Sequence, residues 1–247
     1  MKTLTLNCDL GESFGAWQMG NDSAVMPLID AANIACGFHA GDPSVIRETL
    51  QLAKTCRVEI GAHVSYPDLQ GFGRRSMQIR GQALIDTLHY QMAALEGMAR
   101  IHRLKMTYVK PHGALYNDMA KDIALRADVM RAVAAWHRPL DLVVLATVDD
   151  SDTVDLAVQY GLKLRFEAFA DRAYGSNGLL LPRDQPGAVL TRDKAVAQAL
   201  AIGQGQLTST RGKVLQLQAD TLCVHGDTPE ALAMVQAIRL ALKNRVD

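Results

Sequence analysis

Seven short β-rich runs recur along this 247-residue chain: Leu4 to Cys8, Ala32 to Cys36, Val58 to Ala62, Thr107 to Lys110, Leu142 to Ala146, Leu164 to Ala168 and Thr221 to Val224. Between them, apolar residues repeat at intervals of three and four, as in Val45, Ile46, Thr49, Leu50 and Ala53, or Leu84, Leu88, Met92, Leu95 and Met98. That is the spacing of helices with one buried face. Strands that alternate with helices lie parallel under a helical coat. The expected fold is therefore α/β, a single distorted (β/α) barrel of seven parallel strands spanning residues 1–247, a length such barrels commonly reach as one unit. Val214 to Gln218 offers one more strand, either an eighth in the barrel or half of a short hairpin.

Local signals agree with this register. Asp42-Pro43 and Thr228-Pro229 each set a capping side chain before a proline at the first helical position, where proline's missing N–H costs nothing. Ser151 is expected to cap the next helix in the same way. Gly161, after Tyr160, reads as a helix stop in the left-handed conformation, with a strand from Lys163. Two long irregular stretches, Tyr66 to Arg80 and Arg172 to Thr191, have the length of lids or interfaces.

Lys+Arg and Asp+Glu both number 26, so no excess charge points to nucleic acid or to an acidic membrane. No apolar stretch approaches the roughly 20 residues needed to cross a bilayer, and the start lacks a signal-peptide pattern. A soluble, cytoplasmic protein is expected. The four cysteines are spread without a Cys-x-x-Cys pair, which reads as buried free thiols, with a catalytic cysteine as the lesser alternative.

The candidate chemistry lies where the runs end. In a parallel barrel, groups that follow different strands converge at the carboxyl end. Asp9 and Glu12 follow the first run and can serve as base and acid, or hold a cation; Asn7 shares a face with Asp9. His39, His63, His112 and His225 each follow a different run and suit proton transfer or metal ligation. Asp9 with His39 and His63 would form an Asp-His-His metal set, while the same imidazoles also work without a metal. Lys110 can stabilise an oxyanion, and Arg172, beside Glu167 and Asp171, can grip a carboxylate or pair internally.

Taken together, Asn7-Cys8-Asp9-Leu10-Gly11-Glu12, Asn33-Ile34-Ala35-Cys36-Gly37-Phe38-His39-Ala40-Gly41-Asp42, Gly61-Ala62-His63-Val64-Ser65-Tyr66-Pro67-Asp68 and Lys110-Pro111-His112-Gly113-Ala114-Leu115-Tyr116 resemble the LamB/YcsF family. Phe169-Ala170-Asp171-Arg172-Ala173-Tyr174 and Val224-His225-Gly226-Asp227 extend the likeness along essentially the whole chain. The resemblance implies a deacetylase-like barrel. It also implies one component of an ATP-dependent 5-oxoprolinase, which opens the lactam 5-oxo-L-proline to L-glutamate together with two other subunits. ATP would be handled by those partners, in keeping with the lack of a Gly-x-x-x-x-Gly-Lys-Ser/Thr loop here.

On this resemblance the catalytic candidates are Asp9, Glu12, His39, His63, Lys110 and His112, and the substrate-binding candidates are Asn7, Glu167, Asp171, Arg172 and His225. The deacetylase pattern of paired aspartates and His-x-x-x-His is not reproduced, so a divalent metal in this chain stays an open expectation. Two other functions fit the same residues: a stand-alone metal-dependent amide or N-acetyl hydrolase, and a non-catalytic lactam-binding regulatory subunit.

Overall fold

The computed structural model describes residues 4–224 and 231–243. In chain order the elements are β1 (Thr5–Leu10), α1 (Asp22–Val25), β2 (Ala31–Ala35), α2 (Pro43–Cys56), β3 (Glu59–Val64), α3 (Gly81–Ile101), β4 (Met106–Pro111), α4 (Gly113–Lys121) and α5 (Ile123–Ala134). There follow β5 (Asp141–Leu145), α6 (Ser151–Tyr160), β6 (Lys163–Phe169), α7 (Arg192–Ile202), β7 (Gln206–Thr208), β8 (Val214–Gln216), β9 (Thr221–Cys223) and α8 (Ala231–Lys243). The strands β1-β2-β3-β4-β5-β6-β9 close into an all-parallel barrel.

These are the seven strands expected from the sequence. The extra run at Val214 is not an eighth: β8 pairs antiparallel with β7 in a separate two-stranded sheet. Among the described residues no helix is long and apolar enough to cross a membrane.

The period of two along each strand separates two environments. Leu6, Cys8, Leu10, Ile34, Ile60, Ala62, Val64, Val109, Leu142 and Val144 belong to one large apolar core that also holds Leu50, Leu84, Leu88, Met92 and Leu95 of the helices. Burying each large aliphatic side chain there contributes roughly 1.5–3 kcal/mol. The opposite faces point into the barrel, where Ala31, Tyr108 and Val143 form a small separate cluster amid polar side chains.

Capping follows the sequence at Asp42, whose side chain accepts from the Ser44 and Val45 amides ahead of α2. Gly161 ends α6 at φ 65°, as its position implied. Ser151 does not cap α6: it is the first helical residue, and its amide donates to Asp149 Oδ1. The Thr228-Pro229 signal lies outside the described residues.

Below the middle of the barrel, Arg165 of β6 reaches across to Glu59 of the non-adjacent β3, at 2.7 and 2.8 Å, and also to Asp141 of β5 at 2.7 Å. Burial pushes the Glu59 carboxyl up, but the Arg165 and Thr107 hydrogen bonds outweigh it and hold the group below the usual carboxylate range. A depressed carboxylate stabilises the fold above its unfolded value, and the gain is lost as pH falls through the folded value. Arg165→Met is therefore expected to cost on the order of 1 kcal/mol at pH 7, roughly 2–4 °C in Tm. Melting curves of parent and variant should converge only as pH falls through the depressed Glu59 value.

Candidate active site

At the carboxyl end of the barrel, side chains from separate strands meet around one ammonium group. Lys110 of β4 is buried; its Nζ donates to Asp9 Oδ1 (2.8 Å) and Cys223 Sγ (3.2 Å) and forms an ion pair with Glu167 Oε1 at 2.9 Å. Burial presses the Lys110 pKa down, but Asp9, Cys223 and Glu167 carry it well above the ordinary value. The amine therefore stays an ammonium and is unsuited to Schiff-base chemistry. Glu167 is fixed from its other side by the Tyr116 hydroxyl, which donates to Oε2 at 2.8 Å.

A polar ladder inside the barrel supports Asp9. Tyr108 donates to Asn33 Oδ1 (2.7 Å), and Asn33 Nδ2 donates to Asn7 Oδ1 (2.7 Å) and Asp9 Oδ1 (2.8 Å). Asn7 in turn donates to Thr221 at 2.8 Å. The β1–β2 register that sets Asp9 opposite Asn33 makes this possible. Gly61 gives Tyr108 its space, since a Cβ there would stand 2.1 Å from the ring.

The second half of the site is imidazole. His39 stacks on His112 with centroids 3.8 Å apart, and His63 meets both edge-on. Phe72 lies edge-on to His39 and His112. Burial, and then the neighbouring rings, push His39 and His112 well below the ordinary histidine value, so both are neutral at pH 7. Glu12 turns back over them after Gly11, which sits at φ 71°. Its Oε1 is 3.4 Å from His39 Nε2 and 3.6 Å from His112 Nδ1. The atoms that Glu12, His39, His63 and His112 offer all lie within 4.8 Å of one another, a spacing that can hold a metal ion.

Asp9, Glu12, His63, Lys110 and His112 open onto a cavity of about 570 Å³. Both long loops contribute to it, Phe72 and Arg74 from the first and residues 179–184 from the second. That size admits a small metabolite.

The LamB/YcsF family model matches residues 4–246. The chain belongs to the LamB/YcsF family. It is similar to a 5-oxoprolinase subunit of Pseudomonas fluorescens (strain Pf0-1), with 54% identity over 247 residues covering 99% of each chain. It is also similar to a solved lactam utilization protein from Thermus thermophilus, at 39% identity and TM-score 0.91 over 100% of this chain and 98% of that one. A family 4 carbohydrate esterase from Streptomyces lividans shares the barrel at 13% identity and TM-score 0.51, covering 99% of this chain and 89% of that one. The fold is thus the deacetylase-like distorted barrel.

In this LamB/YcsF chain the six residues expected to be catalytic do form one cluster. The substrate-binding candidates are divided. Asn7 and Glu167 are buried, and both side chains meet Lys110 instead of reaching the cavity lining. Arg172 lines the cavity, yet it also donates to the carbonyls of Leu181 (2.5 Å) and Ala188 (3.4 Å), clasping the second long loop. Asp171 is buried and does not line the cavity, and His225 lies outside the described residues.

The Asp-His-His set changes membership. Asp9 is drawn to Lys110 and stands at the edge, with Oδ2 3.3 Å from His63 Nε2, while Glu12 and His112 join the other two histidines. The thiols carry no sign of activation: burial raises Cys8 and Cys223 well above the usual range and Cys36 to about 12. Sequence reasoning passed over Asn33, Tyr108 and Tyr116. The signal for Asn33 was a lone polar side chain inside the run Ala31-Ala32-Asn33-Ile34-Ala35.

Proposed function

We propose that this chain is the lactam-handling subunit of an ATP-dependent 5-oxoprolinase that converts 5-oxo-L-proline to L-glutamate with two partner subunits. The observation that carries the reading is the buried Lys110 ammonium held between Asp9 and Glu167 at a cavity of metabolite size. The names carried by its relatives, lactam utilization protein and 5-oxoprolinase subunit, support the same substrate class.

A five-membered lactam is an unstrained amide, so its opening has to be coupled to a second reaction. In the proposed sequence the partners transfer the γ-phosphoryl group of ATP to the lactam oxygen, releasing ADP. Water then adds to the activated carbon, and two leaving groups compete. Loss of phosphate only regenerates the lactam. Loss of the amine breaks the ring and leaves an acyl phosphate, which a second water converts to glutamate and phosphate. Productive turnover therefore depends on delivering a proton to nitrogen. Asp9 takes the proton of the attacking water, Lys110 stabilises the developing negative oxygen, and the imidazole cluster carries a proton to the departing amine. Of the cations that line the cavity, which include Arg74, Lys121, Arg172 and Arg183, Arg172 grips the substrate carboxylate.

Asp9→Asn is expected to lower kcat by about 10²–10⁴-fold while leaving complex assembly intact. Glutamate release by the reconstituted subunits, with and without ATP, is the measurement. Unchanged turnover in Asp9→Asn would remove the catalytic assignment. ATP-independent turnover by this chain alone would instead select a free-standing amide hydrolase.

A further inference from the structure

The neighbours of the three buried imidazoles determine where their hydrogens lie. His63 Nδ1 is 2.9 Å from the Lys110 carbonyl, and His112 Nε2 is 2.9 Å from the Phe72 carbonyl. A carbonyl only accepts, so both of those nitrogens carry hydrogen. His39 Nδ1 faces Ser65 Oγ at 3.0 Å, and that hydroxyl spends its own hydrogen on the Tyr66 carbonyl at 2.8 Å. His39 Nδ1 must then be the donor as well. An imidazole with its single hydrogen placed in this way presents a lone pair at its other nitrogen, which is Nε2 in His39 and His63 and Nδ1 in His112.

The nitrogens of His63 and His112 face each other, and the Glu12 carboxylate lies against those of His39 and His112. His112 Nδ1 is 2.9 Å from His63 Nε2. Glu12 Oε1 lies 3.4 Å from His39 Nε2 and 3.6 Å from His112 Nδ1. Facing lone pairs repel unless a cation lies among them. We propose that Glu12, His39, His63 and His112 form a binding site for a divalent transition metal of the zinc class.

The donor chemistry selects this class. Three imidazoles and one carboxylate suit zinc or its neighbours, whereas magnesium and calcium prefer oxygen ligands. Zinc–nitrogen distances of about 2.0–2.1 Å in a tetrahedron place ligand atoms roughly 3.3 Å apart; three of the six separations, 2.9, 3.4 and 3.6 Å, bracket that edge, and all six lie within 4.8 Å. Each imidazole also gives its other N–H to a carbonyl or hydroxyl, the outer support that fixes a ligating ring. The Phe72-Gly73 turn closes over the cluster; a Cβ on Gly73 would stand 2.8 Å from His112 Cδ2 and 2.9 Å from His39 Cβ. The inference stands on nitrogen geometry; a metal held here would occupy the imidazole lone pairs, and the proton for the departing amine would then return from Asp9 in place of the histidines.

The test uses the full chain, stripped with a chelator and titrated with Zn²⁺ and with Co²⁺, in the absence of ATP and lactam. One equivalent should bind, Tm should rise with metal, and Co²⁺ should show the intense visible bands of a four-coordinate site. Ser65→Ala, which touches only the outer support of His39, should weaken binding by about 10–100-fold. Glu12→Gln and His112→Ala should weaken it further. Circular dichroism selects folded variants, and Ser65→Ala keeps the test decisive if a ligand variant does not fold. The proposal is overturned by substoichiometric binding, by affinity unchanged in Ser65→Ala and Glu12→Gln, or by a strongly downfield proton resonance shared between His63 and His112 that persists with metal present.

Discussion

Lys110→Met is expected to destabilise the protein by about 3–5 kcal/mol and to reduce turnover to background, because it removes the ammonium that bridges Asp9 and Glu167. Most of the stability loss comes from the carboxylates left behind. Glu167 is fully buried and has no route to water, and Asp9 is only slightly exposed. Denaturant unfolding of Lys110→Met against the double variant Lys110→Met/Glu167→Gln separates the contributions, since neutralising Glu167 should recover part of the loss. An additive result would show that the two groups do not interact. Lys110→Arg keeps the charge but replaces a compact ammonium by a planar fork, so it should remain folded better than Lys110→Met and still turn over poorly. The pH dependence is set by direction. The Lys110 pKa is raised, so its contribution is fully present below about pH 10.4 and is lost only as pH rises through the higher folded value. Any basic limb of activity between about pH 7 and 9 must then arise from another group.

How far the site could be read from sequence depends on what each residue's neighbours contribute. Asp9, His63 and Lys110 were legible because they alternate with apolar residues at the ends of parallel strands, and parity alone sends such side chains into the barrel mouth. Depth was not legible. Glu167 has the same local pattern as Asp9, yet Lys110 and Tyr116 cover it, so it braces the ammonium instead of meeting substrate. The choice between Asp9 and Glu12 as the fourth group among the histidines depended on the reach of a turn. Gly11 at φ 71° folds Glu12 back, and Lys110 competes for Asp9. The extra strand at Val214 was legible as a strand but not in its pairing. Its partner β7 is supplied just after α7, and the two pair with each other locally without displacing β9 from β1 and β6.

Gly61→Ala is expected to damage fold and site together through a single aromatic ring. A methyl group at this position would stand 2.1–2.4 Å from three atoms of the Tyr108 ring, well inside contact distance. Overpacking in a tight core typically costs about 1–3 kcal/mol, and this case should fall at or above the upper end. The ring has little freedom to retreat: its hydroxyl donates to Asn33 at 2.7 Å, and the Arg165 guanidinium lies over its face at 4.9 Å from the centroid. Displacing Tyr108 would release Asn33 Oδ1, and Asn33 is the residue that steadies both Asn7 and Asp9. Turnover should therefore fall in Gly61→Ala even at temperatures where the chain stays folded, although position 61 does not line the cavity. Tyr108→Leu supplies the discriminating background, since a shorter side chain leaves room for the new methyl. In a double-mutant cycle the stability cost of Gly61→Ala should shrink to less than half when Tyr108 is already leucine. An equal cost in both backgrounds would mean that the strand, and not the ring, sets the requirement for glycine.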